Sequence, residues 1–155
     1  MKKTIMILGY AFLCVIVLVV AGVASVAVIG KRLDKESKAF VDAAVPAIVA
    51  EWDIAELQKR ASPEFNASVD YDDLADDFET LQQMGKLVEY KGSIGDSNIT
   101  VSLSGYEITA DYTANADFET GSTEMQISLI RHSGQWQILD FTVSPEAFTE
   151  RKDVI

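Results

Sequence analysis

The chain has 155 residues, 13 of them basic and 24 acidic, which leaves room for one domain with a buried core and too little for two. Residues 31–155 hold all 24 acids and 11 of the 13 bases, a net charge of −13, which repels nucleic acid and excludes DNA or RNA as the partner. The single cysteine, Cys14, lies in an apolar N-terminal stretch, so the rest of the chain can form no disulfide and tolerates an oxidising compartment.

That stretch, Ile5 to Ile29, carries no charge over 25 residues and lies between Lys2-Lys3 and Lys31-Arg32. As a helix it would be about 37 Å long, enough to cross a hydrocarbon core of about 30 Å with some tilt. It is expected to be a transmembrane anchor comprising residues 1–30, with a soluble domain over 31–155. A cleaved secretory signal is the alternative, since Gly22-Val23-Ala24 and Ser25-Val26-Ala27 also read as peptidase sites. Acylation at Cys14 is disfavoured by the bulky Leu13 before it. Lys31, Arg32, Lys35 and Lys38 put basic residues on the far side too, so charge alone does not orient the stretch. The MKKT start, typical of bacterial exported proteins, and the short N-terminal tail lead to the expectation of a single-pass protein of the cytoplasmic membrane whose C-terminal domain lies outside the cytoplasm. Ala21 and Ser25 form a small-xxx-small pair, a signal for self-association of such helices.

Leu33 to Trp52 is expected to be helical, with Phe40, Ala44, Ile48 and Trp52 on one stripe beside Val41, Val45 and Val49. Pro46 predicts a kink or break. Asp53-Ile54-Ala55-Glu56 has the form of a capping box in which Glu56 reaches back, and Ser62-Pro63 starts a further turn. Tyr71 to Met84 should form an amphipathic helix with Leu74, Phe78 and Leu81 buried, Asp70, Asp72 and Asp73 at its positive end, and Gly85 as a left-handed stop.

After Gly85 the period becomes two. Turn signals at Gly95-Asp96-Ser97-Asn98, Ser104-Gly105, Thr120-Gly121 and Ser133-Gly134 predict an antiparallel sheet of four to five strands. From Glu107 to Phe118 one face is apolar and the other polar. Between Ile138 and Leu139 the parity slips, which predicts a bulge. Ser144-Pro145-Glu146 should cap a short terminal helix carrying Phe148.

The segments WDIAELQKRASPEF, LQQMGKLVEY, ITADYTANADFETG and GQWQILDFTVSP, in that order of helices and hairpins, resemble the nuclear transport factor 2-like (cystatin-like) superfamily from about Glu36 to Phe148. The resemblance implies an α+β cone, helices on a curved antiparallel sheet, in a small exported member without assigned activity. In layout the chain also resembles the anchored subunit of type IV secretion machines. A pilin-like layout, with a leader ending at Gly9, is the remote alternative; that pattern wants Glu where this chain has Cys14.

No residue pattern specifies a catalytic constellation, a cofactor or a metal site. Asp140, flanked by apolar residues, is the candidate for an isomerase- or dehydratase-like pocket acid. His132 sits beside a turn, where exposure is expected. Small residues Ala110, Ala114 and Ala116 leave room over the sheet for packed helices or for an apolar ligand, whose walls would be Tyr90, Tyr112, Trp136 and Asp140. Seven acids between Ala61 and Gly85, with no base among them, do not follow the calcium-loop spacing and read as a solvated face or a dock for a basic partner. The function expected is therefore a non-catalytic, membrane-tethered binding or scaffold domain with a protein partner, with an apolar-ligand module as the alternative.

Overall fold

A computed structural model describes residues 2–144, apart from the side chains at 2–13, 23–24 and 26–27. Helix α1 covers Lys2–Val49, α2 Ile54–Gln58, α3 Pro63–Ser68 and α4 Tyr71–Gln82; strands follow at β1 Leu87–Ser102, β2 Gly105–Phe118, β3 Gly121–His132 and β4 Gln135–Val143. The residues up to Leu33 form one compact unit and those from Asp34 a second. In the first, the apolar side chains from Val15 to Val20, Val28 and Ile29 are exposed, and the Ser25 hydroxyl donates to the Ala21 carbonyl one turn back. The expected transmembrane span falls partly on side chains outside those described. Among the described residues no helix is long and apolar enough to cross a membrane.

The second unit is α+β, with helices packed on a four-stranded antiparallel sheet in the order β1-β2-β3-β4. Alternation places Ala110, Tyr112, Ala114, Ala116 and Phe118 of β2 on the buried face, with Met125, Ile127 and Leu129 of β3 beside them. Val41, Ala44, Val45, Ile48 and Val49 of α1 are buried in the same core. The alanines therefore mark where a helix packs. Helix α1 does not break at Pro46. The proline forfeits one backbone bond near the end of the helix, but Ala50 N–H still donates to its carbonyl at 3.0 Å, and burying Val45, Ile48 and Val49 outweighs that loss.

The helix ends instead at Val49, and in the turn that follows, Trp52, whose φ of 50° is left-handed, lets the Asp53 N–H reach back to the Ile48 carbonyl at 3.0 Å. Glycine is the usual residue there. Here the indole is locked in place by stacking on Phe118 at 5.4 Å and by an edge contact with Phe78 at 5.7 Å. Asp53, Ser62 and Asp70 cap the next three helices, accepting from Ala55, Phe65 and both Asp72 and Asp73. Glu56 does not close a capping box: its carboxylate pairs with Lys59 and Arg60 at 2.5 and 2.6 Å. Gly85 takes the left-handed stop at φ 80°.

Among the described residues four strands form, the lower of the expected counts, because Gly95-Asp96-Ser97-Asn98 lies inside β1 and makes no turn. Gly95 is there for close approach: a Cβ on it would come within 1.9 Å of the Asp111 carbonyl oxygen on β2. The bulge in β4 is present at Leu139, since Ser128 pairs with Asp140 and Leu129 with Ile138. The expected terminal helix with Phe148 lies outside the described residues.

Candidate functional site

The residues anticipated as pocket walls take separate places. Strand β1 slips register between Tyr90 and Ser93, and Gly92 in between adopts φ 91°. An odd separation would normally put Tyr90 and Ser93 on opposite faces; the slip brings both to α1. Both hydroxyls donate to one oxygen of Asp42, at 2.8 and 2.7 Å. Lys38 donates to the other Asp42 oxygen at 3.0 Å and to the Ser93 carbonyl at 2.5 Å. Partial burial pushes the Asp42 carboxyl up, but the hydrogen bonds from Ser93, Lys38 and Tyr90 outweigh it and hold the group below its ordinary value. Burial first, and the Asp42 carboxylate second, drive the Tyr90 phenol upward.

About two turns nearer the start of the helix than Asp42, Asp34 accepts from both the backbone N–H and the hydroxyl of Ser97, at 2.8 and 2.5 Å. The Tyr112 hydroxyl lies 2.8 Å from Ser37 Oγ and donates to the Asp34 carbonyl at 3.2 Å. Tyr90 and Tyr112 thus belong to one polar seam between α1 and the β1–β2 half of the sheet.

Trp136 and Asp140 sit elsewhere. Trp136 is buried on β4 under the Arg131 guanidinium, 5.8 Å from its ring centre, and Arg131 in turn pairs with Glu36 at 2.9 Å. Asp140 is exposed and accepts from Thr142 at 3.0 Å. His132 pairs with Glu64 at 2.9 Å on the surface. Among the described residues no three His, Cys, Asp or Glu side chains are placed to hold a metal ion.

A concavity forms where these expectations did not look, between α4 and the end of β4. It encloses about 500 Å³ and is lined by Leu74, Phe78 and Leu81 of α4 and by Phe141 and Val143 of β4, with Asp77, Thr80 and Thr142 at its margin. Helical spacing marks Leu74, Phe78 and Leu81 as one face, but only Phe78 is fully buried; Leu74 and Leu81 stay half-exposed as groove wall. Beyond the bulge at Leu139, the side-chain parity of β4 shifts by one, which is what brings Phe141 and Val143 to this side. The parity slip in ILDFTV was the available signal for the groove. On the outer surface of α4, Asp72, Asp73, Asp76, Asp77 and Glu79 are exposed, so an apolar floor adjoins an acidic bank.

No protein-family model, no curated protein and no solved structure matches the chain.

Proposed function

We propose that this protein is a membrane-tethered, non-catalytic protein-binding domain displayed outside the cytoplasm, and that the α4–β4 groove takes a partner segment apolar on one side and basic on the other. The groove carries the reading: an open apolar floor beside five exposed acids suits an amphipathic basic segment and repels an acidic one. The tether rests on the uncharged run at residues 5–29 and on the exposure of Val15 to Val20, Val28 and Ile29, an arrangement favourable in lipid and costly in water. Helices preceding an antiparallel meander that they cover support the nuclear transport factor 2-like cone and the layout of an anchored secretion-machine subunit. Tyr90 is engaged with Asp42, Tyr112 with Ser37 and the Asp34 carbonyl, and Asp140 faces water, which favours binding over proton-transfer chemistry.

A second reading puts a small apolar molecule in the same groove, whose volume falls within the range of small-molecule sites. The two separate on a photo-cross-linking residue at Leu81 of the full chain in membranes of its own host. A single protein adduct that is lost on Asp77→Lys or Phe141→Asp supports the protein-binding reading. Absence of any protein adduct, together with an apolar molecule retained by the detergent-solubilised chain in native mass spectrometry, overturns it for the second. An Asp140→Asn variant that loses its cellular phenotype while keeping the adduct would favour an enzyme.

A further inference from the structure

The β1–β2 hairpin outgrows the sheet. Strand β3 pairs with β2 only from Thr109 onward, whereas β1 and β2 stay paired to Ser102 and Gly105. On this projecting arm Ile99 faces Ile108 and Val101 faces Tyr106 across the strands, all on the side of the hairpin that carries Tyr112 in the core. Here that side is uncovered: Val101 is 79% exposed, Tyr106 74% and Leu103, at the turn, fully so. Residues 97–106, SNITVSLSGY, carry no charge in a domain of net charge −13. An uncharged apolar tip on so acidic a body marks a surface that meets something apolar.

Its direction identifies what. Along α1 toward the N-terminus, Asp42 bonds Tyr90 and Ser93, and Asp34 bonds Ser97, so the helix runs back toward the hairpin tip as it approaches the point where the chain joins this domain. From Ser97 to Leu103 the arm extends about 20 Å at 3.3 Å per residue. Asp34, where the chain enters this domain, is joined to Ile29 by five peptide units, at most about 18 Å even when extended, a length that the arm matches. Exposed Lys35, next to Asp34 at this end, supplies positive charge for lipid phosphates on a domain that is otherwise acidic.

We infer that the tip of the β1–β2 hairpin, with Val101, Leu103 and Tyr106, inserts into the headgroup–acyl boundary of the bilayer that holds the anchor. The tyrosine suits that depth, with its ring among acyl chains and its hydroxyl in water, and the inference rests on the tether reading above. The full chain carrying Cys14→Ser and Leu103→Cys, labelled with an environment-sensitive fluorophore, is reconstituted in phosphatidylcholine vesicles brominated on the acyl chains. Gln83→Cys, at the opposite end of the domain, is labelled as control. Flotation with the vesicles, blue-shifted emission and bromine quenching at position 103 but not at 83 are expected. Flotation with unquenched, water-like emission at 103 overturns the inference and leaves the tether standing. Blue-shifted but unquenched emission means that protein, such as a second copy, covers the tip and also overturns it. Failure to float removes the tether, and the inference with it.

Discussion

At Gly95 the backbone of β1 passes so close to β2 that no side chain fits: the added Cβ would lie 1.9 Å from the Asp111 carbonyl oxygen and 2.8 Å from Tyr112 Cα. Gly95→Ala must part the strands beneath the polar seam, and a loss of roughly 1–3 kcal/mol is expected, read as a lower urea midpoint. Asp42 gives the seam a pH signature. Its carboxyl is held below the ordinary value in the folded chain, so its contribution is present above an unfolded value near 3.9 and is lost as pH falls through the folded one. Tyr90 acts with the opposite sense: its raised pKa favours the folded state up to about pH 10, and that contribution fades as pH rises beyond. Urea midpoints measured from pH 3 to 11 should fall at both ends, with Asp42→Asn flattening the acid limb and Tyr90→Phe the alkaline one. Trp52 spans two roles, a left-handed helix stop and an aromatic core member, so Trp52→Ala should cost about 3–5 kcal/mol of stability.

At the level of elements, what the sequence disclosed depended on how local the cause was. The caps at Asp53, Ser62 and Asp70 and the stop at Gly85 act within one turn of themselves and were legible. So was the bulge at Leu139, because a slip of parity in ILDFTV has only one geometric consequence. Gly95-Asp96-Ser97-Asn98 misled because its turn chemistry is local while its actual partners are distant: Asp34 for Ser97, and Asp111 for the space at Gly95. The register slip at Gly92 carried no turn signal, and only the convergence of Tyr90 and Ser93 on Asp42 explains it. The groove needed two elements far apart in sequence, α4 and the end of β4, each of which reads alone as an ordinary amphipathic segment. Asp70→Ala, which removes the acceptor for two N–H groups at the start of α4, should cost about 1 kcal/mol and weaken partner cross-linking at Leu81 by fraying one groove wall.

For the molecule as a whole, the short path from Ile29 to Asp34 matters to the proposed function. A flexible Gly-Ser insertion after Arg32 is expected to leave the chain in the membrane fraction while lowering partner cross-linking at Leu81 and lipid quenching at position 103; unchanged signals would reduce the N-terminal stretch to a simple leash.

The seam between α1 and β1 has a counterpart on the far side of the sheet, where the Ser62 N–H donates to the Ile138 carbonyl and the Ile138 N–H to the Arg60 carbonyl, at 2.8 and 2.7 Å. On β1, the Ser97 N–H is taken by Asp34 and the Ser93 carbonyl by Lys38. Each margin of the sheet therefore has backbone groups engaged from within the domain at these positions, which interrupts the ladder that a partner strand or a neighbouring copy would extend. For the proposed partner segment, this weights recognition toward the side chains of the groove, whose specificity point substitution can change without disturbing the fold that presents them.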